Sequence, residues 1–477
     1  MTAGAAVAAG SSRPAQRLDR HGRAHVDLRA MFQLAAPLMA SNAVQAVINL
    51  TDTWFIGRIS TQAVAAISSI YWIMMAAILV LGGVGLAVQT FVSQAVGSRR
   101  RPRAALATWC ALWATLATWP AFIALAFAGR WLLRPFGLDP EIEQLALDYW
   151  QPRMGGAAIG AAAWALMGFF NGISATRYTV LVVVIMTLAN LPANEVLIFR
   201  LDMGMAGAAW GTNIAQLCGL LVAGMIFLGP KMARRFRTPL MWRPRWSIIR
   251  SQLALGIPIG IMYGADVIGV ALAQLMVVQA TAVGAAATQV VMMLTSLVYM
   301  PTLGIATAGT TLVGQSIGAG DRAWAGRLGN VTIALCACMM GGVALLLLLT
   351  GEWLVPQFLS ATDEASGEAA ALALTLLWPA AAYQIFDGLY FGSSFSLRGA
   401  GDTRVPALAA LLLSWLFYVP LAHTLIFAPG QGWIDGLPQL GFGAIGAWYA
   451  LMSYATLLGT ILLLRWRSGR WRGMRIN

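Results

Sequence analysis

Apolar residues fill this chain in long unbroken runs, not at the every-other-residue spacing of a half-buried strand. Residues 59–98, 104–129, 328–351, 405–434 and 436–464 contain no Asp, Glu, Lys or Arg. A helix crossing a bilayer needs about 20 such residues, so each run holds at least one span. The pattern predicts twelve spans: 31–56, 66–95, 104–128, 150–171, 178–199, 206–229, 251–279, 285–315, 326–350, 371–397, 404–428 and 443–465. Membrane barrels instead alternate apolar and polar residues in segments of about ten, and nothing here does so.

The spans repeat. Pro37 and Pro258, Gly83 and Gly304, Gln94 and Gln315, and Gly97 and Gly318 all stand 221 residues apart. Later the offset drifts, with Gly204 and Gly207 matching Gly443 and Gly446. One ancestral half has been used twice. Six spans return the chain to its starting side, so the halves share orientation and are related by an axis along the membrane normal. The expected fold is an all-α integral membrane protein, with twelve transmembrane helices in two six-helix lobes related by a pseudo-twofold axis. The domains are a disordered basic tail over 1–25, an N-lobe over 26–230, a cytoplasmic linker over 231–246, a C-lobe over 247–466 and a basic tail over 467–477.

Composition agrees: 59% of residues are hydrophobic, only 10% are charged, and mean hydropathy is +0.72. A soluble domain carries about 25% charged residues. The net charge of +13 suggests nucleic acid until its placement is read. Arg13, Arg17, Arg20, Arg23 and Arg29 precede the first span. Arg99 to Arg103, the 231–250 connector and Arg465 to Arg475 follow even-numbered spans. The loops of the other side hold Asp139, Glu141, Glu143 and Asp148, then Glu352, Asp363, Glu364 and Glu368. This is the positive-inside bias; it places both termini in the cytoplasm and argues against nucleic acid. The basic tails are expected to lie on anionic membrane lipids. No apolar core precedes residue 31, so no cleavable signal peptide is expected and the first span directs insertion. Cys110, Cys218, Cys336 and Cys338 all fall in spans and read as free core thiols.

An Asp at the bilayer centre costs about 2.5–3.5 kcal/mol on insertion scales, so acids inside spans are the first functional candidates. Asp387 lies about 16 Å from its helix end at 1.5 Å per residue, near the midplane. Asp266 has no basic residue anywhere between Arg250 and Arg322. Unpaired buried carboxyls suit Na⁺ as hard ligands or a proton as carrier. Asp52 stands six residues before Arg58, so an interfacial ion pair competes with a site there. Glu195, with Arg200 five residues on, reads better as an outer-rim pair. Asn190 and Asn194 share one face around Pro192. Gln45 occupies the slot that Asp266 fills one repeat later. Tyr383 and Gln384 precede Asp387 by about a turn, and Gln289 in the eighth span completes the cavity candidates. His423, alone in its span, reads as a packing residue. The 22 Met and 19 Trp fit a pocket that re-packs around varied ligands, but also ordinary core and lipid contact.

The residues that carry these features resemble the multidrug and toxic compound extrusion (MATE) family. They are Leu34-Ala35-Ala36-Pro37 with Thr51-Asp52-Thr53 and Gly57, Asn190-Leu191-Pro192-Ala193-Asn194, the Pro258-to-Asp266 spacing, Tyr383-Gln384 with Asp387, and Leu397-Arg398-Gly399-Ala400-Gly401-Asp402. The resemblance covers nearly the whole chain, and acids at both 266 and 387 are most similar to its NorM-type branch. It implies antiport in a bacterial inner membrane, inward Na⁺ or H⁺ against outward organic cations. It also implies that Asp266 and Asp387 bind the coupling cation, with a possible Na⁺ site, and that Asp52 is protonated in the first lobe. No cofactor beyond the coupling ion, no catalysis and a monomer are implied. Asp at 266, where many relatives carry Glu, and a charged Glu195 depart from the pattern. A lipid-linked saccharide flippase would need a cationic cavity, yet the spans hold almost no interior Arg or Lys.

Overall fold

The computed structural model describes residues 13–134, 137–358 and 364–474, with the side chains of 297, 298 and 364–366 left aside. The expected tail residues 1–12 and 475–477, and the loop acid Asp363, lie outside the described residues. Twelve long helices follow one another: α1 Leu28–Gly57, α2 Thr61–Gly97, α3 Arg101–Phe127, α4 Pro140–Gly172, α5 Arg177–Arg200, α6 Gly204–Leu228, α7 Trp246–Ala280, α8 Ala282–Gly318, α9 Arg322–Leu354, α10 Glu364–Ala400, α11 Arg404–Ile426 and α12 Gly443–Arg467. Each covers the run that predicts it. Among the described residues eleven are long and apolar enough to cross a membrane, and α8 is a pair bent by 42° between Ala282–Ser296 and Tyr299–Gly318. Pro301 beside that bend removes a backbone donor, the usual cause of a kink. Pro192 and Pro420 adjoin π-helical turns at Glu195–Arg200 and Ser414–Tyr418. Such turns leave the backbone ladder irregular, which a bundle tolerates where neighbours supply partners.

Small residues bring the helices into contact, because lipid gives apolar side chains no reason to leave it. α4 lies on α2, α3 and α6, while α10 lies on α8, α9 and α12. Across the sequence midpoint, α2 packs on α7 and α8, and α1 on α8. These contacts come in matched pairs. A Cβ on Gly97 would run into the Gln315 backbone, and one on Gly318 into that of Gln94. Gly83 abuts Gly260, and Gly304 abuts Met39, again with every number 221 apart. Thr90 Oγ1 donates to the Arg398 carbonyl at 3.0 Å, and Thr311 Oγ1 to the Asn171 carbonyl at 3.0 Å. Gln94 Nε2 donates to Gly399 O at 3.0 Å, and Gln315 Nε2 to Gly172 O at 2.9 Å. The turns match too: the left-handed residue is Arg99 (φ 58°) after α2 and Gly320 (φ 85°) after α8.

One expectation changes. The tail expected to be disordered over 1–25 is folded from residue 16: Gln16–Leu18 (β1) pairs antiparallel with Ala24–Val26 (β2). The reason is local and tertiary at once. Asp19 accepts from the His21 and Arg23 amides in the turn, and Trp324 Nε1 of α9 donates to Pro14 O at 2.9 Å. The 231–246 linker is also ordered, with a short helix over Pro230–Phe236 that buries Met232 and Phe236. The two described chain ends lie at one end of the bundle, since the N-terminal strap meets Trp324 of α9 while Trp466 and Trp471 stack 4.4 Å apart beside Asn330 and Gly326 of the same helix.

Candidate functional site

α7, α10 and α12 converge on Asp266. Tyr390 on α10 donates its hydroxyl to Asp266 Oδ2 at 2.7 Å, and Tyr454 on α12 donates to Oδ1. Three residues before Tyr390, on the same helix face, Asp387 accepts from the Tyr383 hydroxyl at 3.3 Å. Asp387 is buried. Gln384 is buried with Nε2 on Thr295 O at 3.4 Å, while its Oε1 has no partner. The tyrosines stand in a ring-packed wall: Tyr418 stacks on Tyr454 and Tyr390 meets Phe391 edge-on. The Asp266 carboxyl is thus held by tyrosine hydroxyls, with no base paired to it among the described residues.

A second cluster forms between α1, α5 and α6. Asn190 Nδ2 and Asn194 Nδ2 donate to Asp52 Oδ1 at 2.9 and 2.7 Å, and Thr212 Oγ1 donates to Oδ2 at 3.2 Å. The shared face around Pro192 therefore does point one way, at a carboxylate. The competing ion pair with Arg58 does not form; that guanidinium lies over the rings of Trp54 and Phe199 instead, at 5.1 and 4.8 Å. Nor does Glu195 pair with Arg200. The ion pairs among the described residues are Arg13–Asp321, His25–Asp19 and Arg465–Asp402. Glu195 is half-buried, next to the cluster in sequence but not bonded into it, and Gln45 and Gln289 are exposed on α1 and α8. The structure brings Asp52, Asn190 and Asn194 together, and Asp266, Asp387 and Tyr383 around one wall; Gln45, Glu195 and Gln289 stand apart. His423 is buried, accepting the Ile434 amide at 3.1 Å, with its Nδ1 unpartnered.

The sequence reading misses four groups. Tyr390 carries a signal, a tyrosine one turn beyond Asp387. Tyr454 and Thr212 carry none, because their partners lie on distant helices. The fourth is a correction: two arginines are interior. Arg153 on α4 is 5% exposed and donates from Nη1 to Asn213 Oδ1 at 3.1 Å and to Gln216 Oε1 at 3.4 Å. Arg398 at the end of α10 donates to Leu86 O of α2, lies 5.5 Å from the Phe395 ring and leaves Nε without a partner. Amide and carbonyl oxygens can hold a guanidinium, so a charge-poor count of spans does not exclude a buried one. The thiols are free, and Cys338 is exposed, contrary to a core reading.

Comparison with known proteins agrees along the chain. The pattern of the MatE family matches residues 37–196 and 258–424. A probable multidrug resistance protein NorM of Pseudomonas aeruginosa is 30% identical over 457 residues, 93% of this chain and 90% of that one. The multidrug resistance protein NorM of Burkholderia vietnamiensis is 29% identical over 446 residues, 91% and 92% of the two chains. A solved outward-facing conformation of a multidrug resistance MATE family transporter superposes with a TM-score of 0.80 at 19% identity, covering 92% of this chain and 95% of that one. At that identity the superposition speaks for the fold.

Proposed function

The chain belongs to the MatE family, and from that premise we propose that it exports organic, mostly cationic drugs and dyes across a bacterial inner membrane in exchange for H⁺ or Na⁺. The observation that carries the reading is the pair Asp266 and Asp387, set among tyrosine hydroxyls and paired with no base among the described residues. Among the described residues no cluster of three His, Cys, Asp or Glu side chains could hold a metal, so a Na⁺ here would complete its shell from tyrosine and backbone oxygens. A proton needs only one carboxyl oxygen. Both ions would leave Asp52, with its amide donors, as a separate binding point for substrate or proton in the first half.

The end that holds both termini is the cytoplasmic one, in keeping with its arginines. The halves 26–230 and 247–466 form two lobes around an axis along the membrane normal, which the matched contacts of α1, α2, α7 and α8 support. The lobes alternate by rocking. The Gly97–Gln315 and Gly318–Gln94 contacts close the terminus end, so this conformation opens outward. One charge entering through 100 mV supplies about 2.3 kcal/mol, nearly fiftyfold in substrate gradient.

The test is ethidium efflux from vesicles with Na⁺ and pH gradients imposed separately. Asp387→Asn is expected to insert normally and to lose gradient-driven efflux. Wild-type export by that variant overturns the assignment.

A further inference from the structure

The ordered N-terminal strap encloses a cleft that the transport reading does not use. It measures about 950 Å³ and lies between β1, β2, the first turn of α1 and one face of α9. Its lining holds three arginines, Arg13, Arg23 and Arg327, together with His25, and no acid is among the residues that face it. Two of these side chains already meet a carboxylate. Arg13 Nε meets Asp321 Oδ2 at 2.6 Å, and His25 Nε2 lies 3.2 Å from Asp19 Oδ2. Arg23 and Arg327 have no carboxylate within 4 Å among the described residues. Arg327 is held in place by its neighbours. The buried Trp324 ring carries guanidinium groups of Arg13 at 5.5 Å and Arg327 at 5.9 Å, and Arg327 Nη1 donates to Ala24 O at 3.2 Å.

Apart from Gln16 and Asn330, the rest of the lining is apolar. Leu18 is 58% exposed and Leu28 48% exposed at its lips, with Val26 and Val331 deeper. Unpaired guanidinium groups beside exposed leucines suit a ligand that is anionic at one end and greasy at the other. The position suits it too, because Leu28 opens the first membrane helix and the cleft lies at the end of the bundle that carries the termini.

We propose that this cleft binds an anionic phospholipid, its phosphate between Arg23 and Arg327 and its acyl chains along Leu18, Leu28 and Val331. The consequence follows from connectivity. The strap runs directly into α1 of the first half, yet it is fastened to Asp321, Trp324 and Arg327 of α9 in the second. A lipid seated there adds a bridge across the end where Gly97 and Gly318 already meet, and so favours the form closed at that end. The lipid dependence stands whichever ion drives transport.

The experiment uses the full chain in nanodiscs of phosphatidylcholine alone or with phosphatidylglycerol added, read by native mass spectrometry and by thermal unfolding. Phosphatidylglycerol is expected to be retained and to raise the unfolding midpoint, with phosphatidylcholine doing neither. Arg23→Gln should weaken retention roughly fivefold, and Arg23→Gln with Arg327→Gln about thirtyfold, at about one kcal/mol per guanidinium. Arg23→Lys should keep most of it. Inorganic phosphate should not reproduce the effect. Equal retention of the two lipids by the wild-type protein overturns the proposal, whatever the variants do. So does full stabilisation by inorganic phosphate, or retention unchanged in the double variant.

Discussion

Gly97→Ala is the sharpest perturbation of the contact between the halves. A Cβ there would stand 2.7 Å from the Gln315 carbonyl carbon and 2.9 Å from its Cα, against 3.4 Å where ordinary contact begins, with the carbonyl oxygen nearer still. The obstacle is backbone, so no side chain can swing aside. α2 and α8 must separate, and overfilling a close contact by one methyl costs about 1–3 kcal/mol. That cost falls only on the form in which these ends touch. It corresponds to a shift of about 5- to 150-fold in the balance between closed and open forms. Gly318→Ala attacks the matched contact with Gln94, where the new Cβ would stand 2.8 Å from both the carbonyl carbon and Cα. Both substitutions are relieved by the same separation, so the double variant should cost less than the sum of the two. The assay is the distance distribution between spin labels at Ser98 and Ala319, both exposed at this end, together with ethidium efflux. Each variant is expected to populate a longer distance and to export more slowly. A folded Gly97→Ala protein with the wild-type distribution and efflux would refute the reasoning.

Three further outcomes follow from single contacts. Tyr454→Phe removes one of the two hydroxyls on Asp266 and should cost about 1.5–3 kcal/mol of charge-assisted hydrogen bonding to the carboxylate, seen as a shifted half-saturating concentration of the driving ion in efflux; an unchanged value discards Asp266 as the ion's ligand. Arg465→Ala strands Asp402, whose side chain is fully buried 2.7 Å from Arg465 Nε, and should destabilise the protein by about 3–5 kcal/mol in thermal unfolding, with Asp402→Asn restoring part of the loss. Burial acts to raise the Asp321 carboxyl, but the Trp324 amide and the Arg13 guanidinium outweigh it and hold the group below its ordinary value. A depressed carboxyl stabilises above its unfolded value near 3.9 and loses that contribution as pH falls through the folded one. Hydrogen exchange of residues 16–26 should therefore stay slow from neutral pH down to about 4, and Asp321→Asn should speed it at neutral pH.

Each span of the bundle could be read from the chain because one property, about twenty mostly apolar residues with at most one charge, is sufficient for a membrane helix and needs no partner. The Asp52 cluster was half legible for a similar reason: Asn190 and Asn194 share a face by helical geometry alone, and that face found its acid. What stayed hidden depends on which helices meet. Tyr454 reaches Asp266 from 188 residues away, and Thr212 reaches Asp52 from another helix. Arg153 was hidden by a different rule. Counting charges assumes a buried guanidinium wants a carboxylate, whereas Asn213 and Gln216 satisfy it with amide oxygens. The strap escaped because three-residue strands leave no periodicity; Trp324, far along the chain, is what holds them.

The halves keep their contacts in common and their chemistry apart, a division that suits the exchange proposed above. At the shared surface, Gly97 with Gln315 and Gly318 with Gln94 are interchangeable, as are the threonine hydroxyls of Thr90 and Thr311 on opposite backbones. On the proposed rocking mechanism, a surface that matches itself would favour neither half. Inside the halves the matching stops. Gln45 in one becomes Asp266 in the other, and the position of Asn171, whose carbonyl receives Thr311, is taken by Arg398, whose carbonyl receives Thr90. Only the second half thus gains both an acid with tyrosine donors and a buried arginine reaching Leu86 across the surface. If ion occupancy at Asp266 is to move the contact between halves, this asymmetric arginine is the residue placed to carry it, because Arg398 and Asp266 both lie beside Tyr263 of α7. Replacing Arg398 by Gln should then leave ion binding at Asp266 in place while separating it from the Ser98–Ala319 distance. A spin-label distance that still follows the ion in that variant would show that the path runs elsewhere.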